Sequence, residues 1–363
     1  MFSVSPAFTE TDSDNIVAFR PKVETPLVWR QLADNILHHR HEPESPKWLT
    51  EIVYLLMAAR RCTVTLHWDL IQKFAELYEQ LTDILQFRTE EYPRLLHIAL
   101  ELERQGMPGQ VAARMINWIR SRELVGAEQS DDRRLYVSWL FWQRNTSALG
   151  HAEDQALVGR LMRRLARADV FAQLPMGADL ARGITILTAM GDVQPPSMAM
   201  IQKSVENGLF YGFLADDPIT VGRLISVCHL LGMTVPQPIE NYLFRQVSRL
   251  RFDGALPQEA DDDLMLLFAA QPAAYEAGLG VMQLELPTGP FSAHLPLPNL
   301  SPLREVTDVL RGMSQSRSGD WHSMRAQIES QLSFPAFNRL HTAATCSGFD
   351  AFFEVFARPY ERL

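Results

Sequence analysis

Apolar residues recur every three to four positions through most of the chain, and that period predicts helices. The firmest stretch runs from Ala215 to Phe252. Asp216 or Asp217 can cap a first helix and Pro218 fits its first turn, where a missing N–H costs nothing. Val221, Leu224, Ile225, Cys228 and Leu231 then share one face. Gly232 suits the left-handed residue that closes a helix, and Pro236 and Pro238 restart the chain. The second helix places Ile239, Leu243, Phe244, Val247 and Leu250 inward and leaves Glu240, Arg245 and Arg249 to solvent. One such hairpin buries too little area to stand alone, so it needs a neighbour against each face.

The unit recurs. Ala181 to Gly191 written beneath Gly222 to Gly232 pairs Arg182 with Arg223, Ile184 with Ile225 and Gly191 with Gly232, at a constant offset of 41 residues. Looser copies run from Tyr92 to Ile119 and from Pro46 to Leu81. The segments Leu135 to Asn145 and Gln155 to Asp169 supply one more pair. Beyond Phe252, Leu256 to Pro272 begins another, with Asp261 to Asp263 as caps at its start. About six pairs at a period near 40 residues predict an all-α fold, a solenoid of antiparallel helix pairs spanning residues 27–277.

The flanks differ. Residues 1–26 are polar, lack the basic start and apolar core of a secretory signal, and read as a flexible tail. The stretch 278–302 has lost the helical period and is rich in proline, so it reads as a connector or ordered arm. Its Leu284, Leu286, Phe291, Leu295 and Leu297 favour a course along the solenoid over one in a partner's groove. Residues 303–363 form a smaller helical region, with starts at Ser301-Pro302 and Asp320. Phe349, Phe352, Phe353, Phe356 and Tyr360 are too many aromatics to stand in water. They predict a cap on the final repeat or, equally, an interface for another protein subunit.

Composition narrows the class. At 363 residues, 47% apolar and 21% charged, the chain is folded and too long for one ordinary core. No apolar run is long enough for a membrane span. Cys62, Cys228 and Cys346 are isolated and odd in number, which favours buried thiols in a reducing compartment. His38, His39 and His41, with Glu42, have the residue types of a zinc site, but successive residues do not share a helical face, and a histidine cluster also suits a helix C-terminus. No metal is expected.

Charge supplies the strongest departure from the average. Between Arg114 and Arg167 lie ten arginines and no lysine against six carboxylates, within a chain of net charge −9. Arg160, Arg163, Arg164 and Arg167 repeat at helical spacing as one stripe, with Arg133 and Arg134 nearby. Parallel guanidinium groups can hold phosphates, so the stripe is a candidate site for RNA or an acidic partner. A solvated face is the simpler explanation. Trp118 could stack on bases, whereas Trp139 and Trp142 read as core.

Catalytic patterns are missing. The chain has no Walker A loop, GxGxxG, GxSxG or HExxH, and no cofactor is predicted. The acidic run Glu259 to Asp263 lacks the DDxxD spacing of magnesium-binding helical synthases. Cys228 and His229 are adjacent and so point about 100° apart on a helix, which argues against a nucleophile and base.

The succession of an apolar helix of the Leu224 to Met233 type, a proline-bearing turn and the Pro238 to Leu250 helix resembles the degenerate repeats of organellar RNA-metabolism proteins. These are the octotricopeptide and heptatricopeptide class, as in trypanosomatid mitochondrial RNA-processing and ribosome-associated factors. The resemblance covers roughly Pro46 to Ala274. It implies a non-catalytic mitochondrial scaffold for RNA processing, RNA editing or ribosome assembly, working with protein subunits of a larger complex and with RNA. The alternatives are a helical enzyme with an unrecognised active site, or a bacterial helical regulatory or secretion-associated protein.

Overall fold

Helices form where the apolar period and a start signal coincide. The computed structural model describes residues 25–38, 41–165, 176–188, 198–254, 263–296, 301–313 and 316–357; the tail 1–24 lies outside them. In chain order the helices are α1 (Leu27–Leu37), α2 (Pro46–Arg61), α3 (Trp68–Ile71), α4 (Ala75–Phe87), α5 (Tyr92–Arg104), α6 (Val111–Ser121), α7 (Leu124–Ala127), α8 (Asp131–Trp142) and α9 (His151–Leu165). They continue with α10 (Met176–Leu187), α11 (Met198–Ala215), α12 (Pro218–Leu230), α13 (Gln237–Ser248), α14 (Leu264–Ala274), α15 (Pro302–Met313), α16 (Trp321–Glu329), α17 (Phe334–Ala344) and α18 (Phe349–Phe356). Among the described residues the fold is all-α apart from one two-stranded ribbon, β1 (Arg251–Asp253) with β2 (Ser292–His294), paired antiparallel with Phe252 opposite Ala293.

Several predicted caps are in place. Asp217 accepts from the Thr220 N–H at 3.0 Å, Pro218 opens α12, and Gly232 follows that helix with φ +66°. Asp320 caps α16 as predicted, and Ser45 and Ser130, not among the predicted caps, cap α2 and α8. Two expectations are corrected. Helix α13 stops at Ser248, because Arg251–Asp253 pairs as a strand instead of continuing the turn. Asp263 itself does not cap α14, while Asp261 and Asp262 lie outside the described residues: the Asp263 carboxylate accepts from the Leu295 N–H at 2.6 Å, and its own N–H donates to the Ala293 carbonyl at 2.8 Å.

The helix pairs close on themselves. Helices α2, α5, α8, α10, α12 and α14 each pack on the next, and α14 packs back on α2. They begin at Pro46, Tyr92, Asp131, Met176, Pro218 and Leu264, a period of about 40 residues. The sequence explains this inner ring. All of α14 from Leu264 to Ala274 except Met265 is buried, and α12 is buried almost continuously from Pro218 to Cys228. A helix apolar all round must have neighbours all round. Outer helices such as α4, α6 and α9 bury one stripe only.

For the first five inner helices an outer helix follows directly. For α14 the arm takes that place. After a wide last turn (Tyr275–Leu279), ended by Gly278 and Gly280 with φ +81° and +74°, the chain runs back along α14. The Gln271 side chain donates to the Met282 carbonyl and accepts from the Met282 N–H, each at 3.0 Å, while Asp263 holds Leu295 at the other end. On its far side the arm meets α1: Gln31 donates to the Leu286 carbonyl at 2.9 Å, and Asn35 Oδ1 accepts from the Phe291 N–H at 2.7 Å. Leu286 and Phe291 are buried, and Leu284 and Leu295 are packed against the core; Leu297 lies outside the described residues.

Helices α15, α17 and α18 dock on α11. Here the aromatic cluster is resolved. Phe349, Phe352 and Phe353 are buried against Phe210 of α11 and Trp321, so these three side chains cannot serve as an exposed interface, and Phe356 is half-buried. They cap the flank of α11 and not the end of an array, since the inner helices form a ring. Tyr360 lies outside the described residues. Arg339 of α17 sits on the rings of Phe213 and Tyr242 and pairs with Asp216 at 2.8 Å.

The three cysteines are free and buried. Burial pushes the Cys62 and Cys228 thiols up to about 12. A group with a raised folded pKa contributes stability fully below its unfolded value, near 9.0, and loses it as pH rises towards 12. Denaturant titrations at pH 8, 9.5 and 11 should therefore show a falling midpoint, with less fall in Cys62→Ala/Cys228→Ala. An equal fall in both proteins would remove the thiols as the cause.

Candidate functional site

The ring encloses a cavity of about 450 Å³, and all six inner helices contribute to its wall. Val53 and Met57 from α2, Ile186 from α10, and Met265 and Phe268 from α14 make much of it apolar. Into this wall five inner helices each place one arginine: Arg61 from α2, Arg94 from α5, Arg133 from α8, Arg182 from α10 and Arg223 from α12. Among the described lining residues Asp132 is the only carboxylate.

The arginines are not equivalent. Arg61 closes one end: its guanidinium meets Glu276 at 2.5 and 3.0 Å and reaches the Ser226 carbonyl and the Thr185 hydroxyl at 3.4 Å. Arg94 pairs with Glu91, and Arg133 with Glu128 at 2.7 Å while lying over the Tyr92 ring. Arg223 meets no carboxylate among the described residues; its guanidinium rests on Tyr54, 4.9 Å from the ring centre. Arg182, its counterpart one repeat earlier, is exposed in the cavity wall.

Behind the wall lies a second layer. Tyr136 lines the cavity, and its hydroxyl is 2.5 Å from Nδ1 of His97 on α5. His97 and Glu101 are wholly buried, with Nε2 3.5 Å from the Glu101 carboxylate. Arg60 and Arg104 bound that carboxylate at 3.2 and 3.7 Å. Burial alone would raise Glu101, but His97, Arg60 and Arg104 outweigh it and hold the carboxyl below its usual range. Burial pushes the Tyr136 phenol well up, with Tyr54 and Glu101 acting in the same sense and Arg182 and Arg94 opposing them. Tyr136 is thus a neutral hydrogen-bonding group at any ordinary pH.

The chain's family can now be placed. A family model described as a domain of unknown function, DUF6902, matches residues 13–359. The chain belongs to the DUF6902 family. No curated protein and no solved structure matches it. In this DUF6902 chain no helix among the described residues is long and apolar enough to cross a membrane.

Of the arginines of the sequence stripe and its neighbours that lie among the described residues, Arg133 alone lines the cavity. Arg160 and Arg164 stand on the outer helix α9 facing the start of α8. Arg160 makes a two-pronged pair with Asp131 at 2.7 and 3.1 Å, and Arg164 pairs with Asp132. Arg160 holds the Asp131 carboxyl below its usual range. Arg134 donates to the Gly126 carbonyl at 3.1 Å, Arg163 is exposed, and Arg167 lies outside the described residues. Trp139 is buried and Trp142 is half-buried and hydrogen-bonded to Asp154 at 3.1 Å, as core residues should be. His41 turns to Glu51 at 3.0 Å and His38 to the Asp34 carbonyl, so these two histidines do not converge. The spacing that predicts the stripe is real, but its carboxylate partners come from another helix. The cavity arginines lie one per helix, some 40 residues apart, and the aligned pair Arg182 and Arg223 is the one signal that points to them.

Proposed function

We propose that this DUF6902 protein binds a small oxyanion, a carboxylate or phosphate with an apolar body, in the central cavity. The observation that carries this reading is the convergence of five arginines from five inner helices on a wall with one lining carboxylate. Three of the five are balanced from behind the wall by Glu276, Glu91 and Glu128, whereas Arg223 has no such carboxylate among the described residues. Guanidinium groups in a half-buried wall attract an anion with several kcal/mol at an effective dielectric near 20. Val53, Met57, Met265 and Phe268 suit a hydrocarbon or ring beyond the head group. A volume of about 450 Å³ fits a metabolite and not a polymer strand.

This is preferred to an RNA scaffold working through the arginine stripe, because Arg160 and Arg164 would have to leave Asp131 and Asp132 before meeting phosphates. Calorimetry with octanoate and phenyl phosphate, against inorganic phosphate as a head group alone, tests the cavity. Losing a hydrogen bond to a charged group costs about 1.5–3 kcal/mol, so Arg223→Ala or Arg182→Ala should weaken the better probe roughly 10- to 100-fold. Arg160→Ala on the outer face is the control and should leave binding unchanged. Saturable binding by neither probe, or an equal effect of Arg160→Ala, would overturn the reading.

A further inference from the structure

We infer that Arg223 is the principal ligand of the bound oxyanion and that Tyr54 is its positioning residue, an aromatic face that holds the guanidinium without cancelling its charge. This rests on the cavity reading above and deepens it by assigning the head-group site within the cavity and the residue that orders it.

A long arginine side chain carries much rotamer freedom and needs a partner to hold one geometry. Elsewhere in this chain an arginine over a ring commonly has an acid as well. Arg60 lies over Trp139 and meets Glu101, Arg133 lies over Tyr92 and meets Glu128, and Arg339 lies over Phe213 and Tyr242 and meets Asp216. Such an ion pair is nearly neutral from outside and attracts a further anion weakly. Arg120 and Arg122 rest on Phe141 and Trp118 from the outer helix α6, where both are exposed and water and salt screen them. Of these arginines only Arg223 lines the cavity without a carboxylate among the described residues, its guanidinium carbon 4.9 Å from the centre of the Tyr54 ring. A ring attracts a cation through its quadrupole and has no net charge of its own. Held in this way Arg223 keeps its full charge, and none of its N–H groups donates to another described residue. They remain for a carboxylate or phosphate, whose oxygens match the planar fork.

The backbone makes the contact possible. Tyr54 and Arg223 belong to helices that are not ring neighbours, since α14 stands between α2 and α12. Next to Arg223 is Gly222, where α12 lies hard against α14: a Cβ on Gly222 would come within 3.1 Å of the Ala269 Cβ and 3.3 Å of the Ala269 backbone. The small residues at this crossing let the two helices approach closely, which brings the neighbouring arginine within reach of α2. Tyr54, Arg223 and Ala269 all line the cavity, so the head-group site lies where α2, α12 and α14 converge. Tyr54 is about two turns before Arg61 on α2, which separates this site from the Arg61–Glu276 closure. Val53 and Phe268, next in sequence to Tyr54 and Ala269, bring the apolar wall up beside it.

Two measurements on the full chain decide it. In calorimetry with octanoate and phenyl phosphate, Tyr54→Leu should weaken the better probe about 3- to 30-fold, the range for losing a cation–ring contact in a partly desolvated wall. Tyr54→Phe keeps the ring face and should recover affinity to within about twofold. On the Arg223→Ala background, Tyr54→Leu should have no further effect, because no guanidinium is left to position. Tyr54→Met serves as the ringless variant if Tyr54→Leu does not fold. An equal loss from Tyr54→Leu with and without Arg223 would mean that Tyr54 is only part of the apolar wall. A loss in Tyr54→Phe as large as in Tyr54→Leu would mean that the hydroxyl acts and the face does not. Either result overturns the inference and leaves the cavity reading standing, whereas binding of neither probe overturns both. Independently of any ligand, the Tyr54 ring current should move the Arg223 Nε–H proton upfield in the nuclear magnetic resonance spectrum. That displacement should persist in Tyr54→Phe and vanish in Tyr54→Leu. One unchanged Nε–H position in all three proteins would show that the ring does not hold the guanidinium, and would sink the inference whether or not a probe binds.

Discussion

Arg61→Leu should destabilise the fold by about 3–5 kcal/mol, the range for leaving a buried charge without its partner. Arg61 is the last residue of α2 and Glu276 follows α14, so this pair joins the two ends of the inner ring. Both side chains are largely removed from water, at 8% and 14% exposure, and Ser226 Oγ is the other donor to the Glu276 carboxylate, at 2.6 Å. With Arg61 gone, one hydroxyl remains to hold a desolvated carboxylate beside Cys62. The sign of the double variant is the sharper test. In Arg61→Leu/Glu276→Leu no charge is stranded, and apolar side chains replace the pair, so most of the loss should be recovered. Urea unfolding of the two single variants and the double variant gives this coupling directly. A double variant as unstable as the sum of the singles would show that the two residues act separately and that the pair does not hold the ring.

Such closure was only partly legible beforehand. Repeats, caps and the all-α class follow from local rules, because Asp217, Pro218 and Gly232 act within one turn of their own helix. The ring's curvature depends on small angles between successive pairs, which no single residue encodes. Yet one sign was present: α14 is apolar almost all round and α12 carries few polar residues, as helices at the centre of a ring require and an open array with a solvent-lined groove does not. The cavity was harder to foresee for the opposite reason. Its arginines are spread one per repeat, so a window of one helix finds the dense stripe on α9 and passes over Arg61, Arg94, Arg182 and Arg223. Tyr136 and His97 are 39 positions apart and meet only because α5 and α8 are ring neighbours.

Gln271→Leu is expected to cost about 2–4 kcal/mol and to act first on the arm. The side chain is wholly buried and serves the same residue twice, donating to the Met282 carbonyl and accepting from its N–H. Each backbone group left unsatisfied in a buried setting costs about 1–3 kcal/mol, and Met282 is only half-buried, which keeps the sum below the upper limit. Leucine matches the volume, so the loss measures the hydrogen bonds and not a cavity. Because the arm stands where other repeats have an outer helix, it has no internal ladder of hydrogen bonds. Apart from the β2 pairing with β1 near its far end, its order depends on such side chains: Gln271 at one end, Asp263 at the other, Gln31 and Asn35 across from it. Freed at Met282, the segment from Gly280 to Leu286 should open before the ring does. Native-state proteolysis should then cut Gln271→Leu within 280–290 at denaturant concentrations where the helices still give full circular dichroism. Cutting only in step with global unfolding would mean that the arm is held chiefly by Leu286 and Phe291 in the core, with Gln271 contributing to overall stability alone.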